Sequence, residues 1–255
     1  MVSRLIYRDG LMLVIDKPAG FAVHRGPNGG ESLEDHFGAL RFGLPRAPAL
    51  AHRLDRDTSG CLVLGRHRKA LAQLGKLFKS RAIGKTYWAV VEGKPEAEHG
   101  QIDLPLGRLD VTRGWWMKHD PGGQPAVTKW RVMGRAPSTP LTCLTWLALE
   151  PLTGRTHQLR VHCAEMGWPV WGDAIYGRAP RSGGPPLHLH AREITVPLYK
   201  NRAPIHVTAP VPQHMRQCLE ACGWHGEDSD RHAELDIRAR SVPLHQDRAI
   251  NKSSP

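Results

Sequence analysis

The segment of residues 52–60, His-Arg-Leu-Asp-Arg-Asp-Thr-Ser-Gly, combines two arginines and two carboxylates directly after a short apolar run. In an extended or tightly turned backbone, Leu54 points inward while its neighbours Arg53 and Asp55 project together toward a cleft. A carboxylate held beside guanidinium groups stays ionised and is available as a nucleophile. The same spacing also suits a solvated loop tied by aspartate–arginine ion pairs, so composition alone leaves both interpretations open.

The charge of the chain favours a polyanionic partner, either nucleic acid or an anionic membrane surface, because the formal net charge is +11 over 255 residues. The basic excess lies before residue 211, since residues 211–255 hold slightly more acidic than basic side chains. Residues 58–91 contain lysines and arginines but no acidic residue. This stretch follows the candidate nucleophile and predicts a phosphate-binding surface. The alternative is an ordinary solvated helix face, which usually mixes both signs.

Neither the hydropathy nor the cysteines suggest a membrane protein or a disulfide framework. No apolar run approaches the roughly 20 residues needed to cross a bilayer, and the N-terminus meets a charge too soon for a signal peptide. We therefore expect a cytoplasmic protein with no membrane partner and, from five irregularly spaced cysteines, reduced thiols. His214, Cys218 and Cys222 recur every four residues and suit a metal site on a helix, but a buried apolar cysteine face is commoner. We predict no metal site.

The hydrophobic periodicity predicts short strands interspersed irregularly with helices. Strands are predicted over residues 11–15, 21–24, 61–64, 85–93, 126–132 and 141–149, and helices over 31–40, 68–81 and 154–166. This order favours an α+β fold on a mixed, largely antiparallel sheet with flanking helices. We predict one domain over residues 1–224. The polar composition of residues 225–255 predicts a disordered tail.

Residues 52–60 resemble the signature of the RluA-type pseudouridine synthases, which are RNA-modifying enzymes. Further segments resemble other blocks of that family in the same order, namely residues 14–20, 85–87, 154–162, 172–177 and 189–191. Together they cover about residues 5–215. The resemblance implies a pseudouridine-synthase catalytic domain with a central RNA-binding cleft, in the short, single-domain form.

The same resemblance implies roles for individual residues. The aspartate of the signature is the family's nucleophile, which here is Asp55, and Arg160 matches the basic residue that pairs with it. Tyr87 would be catalytic, with a ring that stacks on the target uracil and a phenol that assists proton transfer, although without the family match a core tyrosine on a strand is favoured. The predicted substrate-binding residues are His52, Arg53, Arg56, Arg155 and His157.

An enzyme that acts on a base must extrude it from a helix, and Arg53 suits the role of filling the gap. The helix predicted over 68–81 is amphipathic with a basic outer face. Arg56 and Arg155, with the basic residues of 66–81, would hold phosphates. Asp57 is predicted to be structural, because a carboxylate two residues away in one loop more often joins a hydrogen-bond network than acts as a second catalytic acid.

The sequence thus predicts an enzyme that isomerises specific uridines of structured RNA, either transfer RNA or 23S-type ribosomal RNA or both. We expect no cofactor, no obligatory protein partner and a monomeric chain. Attack of Asp55 on the sugar and attack on the pyrimidine ring stay open. Two other functions are compatible with parts of the pattern: a non-catalytic RNA-binding or ribosome-assembly protein, and a glycoside or nucleoside hydrolase, which would need a second catalytic carboxylate.

Overall fold

The structure, a computed structural model, describes residues 1–26, 29–110, 115–137 and 143–226. Its strands are β1 Leu5–Arg8, β2 Met12–Lys17, β3 Ala49–Leu50, β4 Ser59–Gly65, β5 Gly84–Glu92, β6 His99–Asp103, β7 Leu106–Arg108, β8 Met117–His119, β9 Val127–Arg135, β10 Leu144–Pro151, β11 Leu189–Val196 and β12 Ile205–Thr208. Its α-helices are α1 Arg68–Lys79, α2 Gln158–Glu165 and α3 Gln213–Ala221. Short 3-10 helices cover Val2–Arg4 and Leu33–Leu40.

One ten-stranded sheet forms the centre of the molecule, in the order β1-β2-β4-β11-β5-β10-β9-β6, with β3 paired to β4 and β12 paired to β11. The pairing of β4 with β11 is parallel, whereas the other strand pairs of the described residues are antiparallel. Strands β7 and β8 form a separate hairpin. The predicted α+β class with a mixed, largely antiparallel sheet is confirmed.

The segment of residues 52–60 lies between β3 and β4, and its residue Leu54 anchors it to the protein interior. Leu54 is 6% exposed and packs into an apolar cluster with Leu33, Phe37 and Leu40 of the 3-10 helix and with the buried face of β4. The side chains on either side of Leu54 therefore face away from this cluster, as the alternation of the sequence predicts. Asp55 and the exposed Arg53 both line one cleft.

Helix α1 begins at a cap that its sequence supplies. The ring Nδ1 of His67 accepts the backbone N–H of Ala70 at 3.3 Å, which satisfies one of the free donors of the first turn. Ala70 and Leu74 are buried against the sheet, and the lysines of the last turn, Lys76 and Lys79, are exposed. The predicted amphipathic helix with a basic outer face is confirmed.

Two elements differ from the sequence prediction. Residues 21–24 form no strand, because the carbonyls of Ala22 and Val23 accept N–H groups at the start of the 3-10 helix instead of a ladder partner. The helix expected over 154–166 is confined to Gln158–Glu165, since residues 154–157 turn before it. In that turn the side-chain oxygen of Gln158 accepts the Arg155 N–H at 3.0 Å.

Several further predictions concern the rest of the chain. All five cysteines are free thiols, as expected. Within the described ranges no helix has the length and apolarity needed to cross a bilayer. The tail predicted over residues 225–255 lies outside the described residues except for 225 and 226, and the single domain over residues 1–224 stays a prediction.

Two glycines give a matched test of the backbone. Gly60 has a φ of 104°, and a Cβ there would meet the backbone of Ala191 on β11, whereas Gly75 on the exposed face of α1 has open space. We expect Gly60→Ala to lower the free energy of unfolding by about 1–3 kcal/mol or more, because the strain of the positive φ and the clash with the Ala191 backbone add. Gly75→Ala should raise it by about 1 kcal/mol. Denaturant unfolding of both variants measures the difference, and equal effects would contradict it.

Candidate active site

An open cleft of about 990 Å³ runs past the segment of residues 52–60, the start of β5 and the turn before α2. It is lined by seven of the eight predicted site residues, which come from three separate parts of the sequence: His52, Arg53, Asp55, Tyr87, Arg155, His157 and Arg160. Arg56 is outside this lining. The fold therefore brings together nearly the whole set predicted from sequence.

Asp55 sits on a tight turn that leads into β4. Its backbone carbonyl accepts the N–H of Thr58 at 3.2 Å, and its side chain is 20% exposed at the cleft surface. The carboxylate is thus held by a short turn yet is open to a ligand. This geometry suits a nucleophile.

Lys17 supports this turn from inside the protein. The residue is fully buried at the end of β2, and its ammonium donates 2.8 Å hydrogen bonds to the carbonyls of Pro18 and Arg56. Burial lowers the pKa of Lys17 to about 8, against the opposing charges of Asp57 and Asp55. The lysine therefore joins the sheet to the loop that carries Asp55.

Arg160 does not make the predicted ion pair with Asp55. Its Nε and a terminal nitrogen each lie 2.7 Å from a different carboxylate oxygen of Asp173, in a bidentate pair whose side chains are 4% and 0% exposed. Burial alone would lower the pKa of Arg160, but the hydrogen bonds and charge of Asp173, helped by the charge of Asp55, raise it. Arg160 thus lines the cleft as a fixed charge whose direct partner is Asp173.

Asp173 also organises the turn that follows it. Its Oδ1 accepts the backbone N–H groups of Ile175 and Tyr176 at 2.9 and 3.0 Å in addition to the Arg160 contact. Burial would raise the pKa of Asp173, but these hydrogen bonds and the Arg160 charge lower it. One carboxylate therefore fixes both Arg160 and the position of Tyr176.

His157 lies between this turn and the candidate nucleophile. Its Nε2 is 3.8 Å from Oδ2 of Asp55, and its Nδ1 is 2.8 Å from the phenol oxygen of Tyr176. The exposed Trp115 meets the histidine ring edge-on, with 5.1 Å between centroids. Burial lowers the pKa of His157, and the charge of Asp55 opposes that shift.

Tyr87 projects from β5 into the cleft, where it also contacts the apolar clusters on either side. Burial, with the charge of Asp55 as a smaller cause, raises its pKa well above the ordinary value of 10. The phenol therefore stays protonated at neutral pH. It offers a ring face and an O–H donor, but it is a poor source of phenolate.

His52 borders the cleft but is largely engaged with the protein. Its Nε2 accepts the N–H of Val63 at 3.0 Å, and its ring stacks on Phe78 with 4.6 Å between centroids. Burial and the charge of Lys85 lower its pKa to about 3. One ring face and one nitrogen are thus occupied, which favours a supporting role for His52 over the predicted contact with RNA.

The three remaining predicted arginines differ in exposure and partners. Arg53 is exposed in the cleft, and its guanidinium has no hydrogen bond or ion pair to the residues that the structure describes. Arg155 donates from Nε to the carbonyl of Pro125 at 3.1 Å. Arg56 instead pairs with Asp57 at 3.0 Å, at the surface. The predicted role of Arg56 in the cleft is therefore not supported, whereas the structural role of Asp57 is.

The acid-free stretch of residues 58–91 contributes part of one cleft wall. Lys79, Arg81 and Lys85 line the cleft. Arg66 points elsewhere, because its guanidinium donates to the backbone carbonyls of Asp9 and Phe42. Of the basic residues predicted to hold phosphates in this stretch, those that line the cleft thus lie from the C-terminal end of α1 to the start of β5.

The described residues contain no cluster of three or more histidine, cysteine or acidic side chains suited to a metal ion. Of the stripe on α3, Cys222 is buried with Met215 and Leu219 in an apolar cluster. His214 donates from Nε2 to the carbonyl of Leu187 at 3.2 Å. The apolar interpretation of this stripe is the one that the structure supports.

Comparison with known proteins identifies the family. Residues 11–165 match the family described as RNA pseudouridylate synthase. The chain belongs to this family. The predicted enzyme class, an isomerase that forms pseudouridine in RNA, is thereby confirmed.

Two relatives and a solved structure illustrate the similarity. An RNA pseudouridine synthase of Zymomonas mobilis, named as uncharacterized, is 39% identical over 215 residues, which are 84% of this chain and 95% of the relative. The ribosomal large subunit pseudouridine synthase C of Vibrio cholerae is 34% identical over 84% of this chain and 68% of its own length. The structure of human RNA Pseudouridylate Synthase Domain Containing 4 superposes with a TM-score of 0.70 at 26% identity, covering 87% of this chain and 93% of that one.

No role was predicted for Lys17, Asp173 or Tyr176. Each carried a local signal: Lys17 ends an apolar strand directly before a proline, and Asp173 and Tyr176 lie between two glycines, at 172 and 177. A buried position for a charge beside such turns indicates a structural partner, but that partner is distant in sequence. Its identity becomes visible only in the fold.

The buried pair predicts a large loss of stability on truncation. Arg160→Met leaves the Asp173 carboxylate buried without its partner, so the free energy of unfolding should fall by about 3–5 kcal/mol. Arg155→Met is the matched control, because the hydrogen bond it removes is exposed and worth about 1 kcal/mol. Urea unfolding at neutral pH measures both, and equal losses would contradict the assignment.

The same pair sets a pH dependence. Because the folded-state pKa of Asp173 is depressed, its stabilisation is complete above the unfolded-state value of 3.8 and is lost as the pH falls through the lower folded-state value. The difference in the free energy of unfolding between wild type and Arg160→Met should therefore shrink below about pH 4.

Proposed function

We propose that Asp55 is the nucleophile of a cofactor-independent pseudouridine synthase that acts on uridines of structured RNA. The observation that carries the proposal is the position of Asp55, a partly exposed carboxylate on a tight turn in a cleft that also holds Tyr87, Arg160 and exposed cations. Family membership supplies the reaction, and the geometry supports the assignment of roles.

The reaction requires no oxidant, reductant or external energy. The N1–C1′ glycosidic bond breaks, the uracil turns, and a C5–C1′ bond forms; the hydrogen at C5 leaves as a proton, and N1 takes one up. Covalent attachment to Asp55 divides this exchange into two easier steps and keeps the fragment in the cleft. Attack at C1′ and attack on the pyrimidine ring both balance, and both are open to this carboxylate.

Two side chains support contacts with the target nucleotide. Tyr87 offers a ring face for stacking on the uracil, and its raised pKa keeps the O–H available as a donor. Arg53 is exposed and lies two residues before Asp55, so it is free to enter the space that the extruded uridine leaves. Both roles need the base to leave its stack, because the reacting atoms are inaccessible inside a helix.

The cations of the cleft wall suit the phosphates of an RNA backbone. Lys79 and Arg81 are exposed there, and Arg155 also lines the cleft. Contacts of this kind position RNA without reading its sequence. A hydrolase of glycosides has no use for such a wall, and a non-catalytic binding protein has no use for the Asp55 turn.

The proposed substrate is large-subunit ribosomal RNA, transfer RNA or both, and the chain is proposed to act as a monomer without an obligatory protein partner. The relative named ribosomal large subunit pseudouridine synthase C favours the ribosomal substrate. Pseudouridine mapping of total RNA from a deletion strain and its parent identifies the target. Loss of sites in one class alone decides between the substrates.

The proposal predicts that Asp55→Asn abolishes turnover. The amide keeps the shape of the side chain but is no nucleophile, so RNA affinity should stay within a few-fold while tritium release from RNA labelled at uridine C5 falls to background. Asp57→Asn is the matched control, since that carboxylate pairs with Arg56 outside the cleft lining. Measurable turnover by pure Asp55→Asn protein would overturn the assignment.

The cleft wall predicts a position-dependent salt effect. Lys79→Glu and Lys69→Glu change the net charge equally on the same helix, but only Lys79 lines the cleft. RNA binding by Lys79→Glu should weaken, and the slope of log K against log salt should flatten by about one phosphate contact, or 0.7–0.9. Lys69→Glu should leave the slope near that of the wild type. Identical slopes for the two variants would place the RNA elsewhere.

A further inference from the structure

His157 adopts a backbone conformation that is unusual for its residue type. Its φ and ψ are 52° and 18°, in the left-handed region, at the residue directly before α2. The side chain makes no capping hydrogen bond to that helix, although the residue occupies the cap position. A non-glycine residue stays in this region only where its surroundings hold it there, and such residues concentrate at functional sites. The backbone here directs the imidazole into the cleft.

The hydrogen bonds of Tyr176 indicate which ring nitrogen of His157 carries the hydrogen. The phenol oxygen accepts the backbone N–H of Met117 at 2.9 Å, so its own hydrogen is left for Nδ1 of His157 at 2.8 Å. A neutral imidazole that accepts at Nδ1 has its hydrogen at Nε2. That N–H lies toward Oδ2 of Asp55, 3.8 Å away.

We propose that His157 is a positioning residue for Asp55, held by Tyr176 as the Nε2–H tautomer so that one carboxylate oxygen is restrained and the other is free to attack. This inference rests on the proposed role of Asp55 as the nucleophile. The chain of contacts from the Met117 backbone through Tyr176 and His157 to Asp55 transmits no proton. Its effect is to orient the carboxylate before RNA binds.

The charges that face the imidazole support a neutral ring. Burial is the largest cause of the lowered pKa of His157, and the ionisable groups that act on it are Asp55, Arg160, Asp173 and Arg53. Tyr176 faces its other nitrogen and stays protonated, because burial raises the pKa of that phenol. At neutral pH the ring therefore has one N–H hydrogen, and Tyr176 determines which nitrogen bears it.

The first test observes the tautomer without reference to activity. NMR spectra are recorded on the full chain labelled with ¹⁵N-histidine. The His157 signals are assigned by their disappearance in His157→Asn, because asparagine tolerates the left-handed backbone. At neutral pH we expect a protonated Nε2 and an unprotonated Nδ1, and in Tyr176→Phe a mixture of tautomers. An Nδ1–H form or an imidazolium in the wild type would overturn the inference.

The second test measures its consequence for the reaction. Single-turnover rates at saturating RNA should fall about 10- to 100-fold in Tyr176→Phe and His157→Asn, with RNA affinity unchanged, because a misplaced reacting group is costly. Tyr199→Phe is the control for hydroxyl removal, since Tyr199 hydrogen-bonds to Asp9 outside the cleft lining. It should keep the wild-type rate.

The outcomes separate this inference from the proposed function. If Asp55→Asn is inactive while Tyr176→Phe reacts at the wild-type rate, the positioning role is wrong and the nucleophile assignment stands. If Asp55→Asn turns over, the proposed function fails whatever the tautomer is. A mixed tautomer in Tyr176→Phe together with a slowed reaction and unchanged affinity supports the inference.

Discussion

The buried ion pair of Arg160 and Asp173 is the interaction on which the cleft depends. Asp173 accepts hydrogen bonds from two nitrogens of Arg160 and from the backbone of Ile175 and Tyr176, all within 3.0 Å. A buried charge is tolerable only when its hydrogen-bonding capacity is met, and here it is met from a helix and a turn at once. The constraint fixes Tyr176, which contacts His157, which faces Asp55.

A second buried charge supports the nucleophile loop from the opposite direction. Lys17 has no exposure and satisfies its ammonium with two backbone carbonyls, one of them in the signature loop at Arg56. The ammonium of Lys17 is bound by backbone carbonyls, and among the described residues it makes no ion pair with Asp55. The loop is thereby held by one buried lysine that lies outside the cleft lining.

Local patterns in the sequence predicted the elements that local forces determine. Alternation placed Leu54 inward and Asp55 outward, periodicity located α1, and the apolar runs located β4 and β5, all of which the structure confirms. The predicted pairing of Arg160 with Asp55 was wrong. Asp55 and Asp173 offer the same carboxylate chemistry, and distance along the chain does not choose between them. The late start of α2 was missed because a left-handed histidine has no sequence signal of the kind that glycine gives.

The parallel pairing of β4 with β11 has a consequence for how the chain folds during synthesis. Ser59 and Gly60, which follow the signature loop, are in register with His190 and Ala191, and Ser59 is hydrogen-bonded to the ring of His190 at 2.8 Å. During synthesis the N-terminal strands can meet early, but this central seam of the sheet closes only after β11 has left the ribosome. Contacts so distant in sequence form slowly. A nascent chain therefore carries its signature loop long before it has a working catalytic centre.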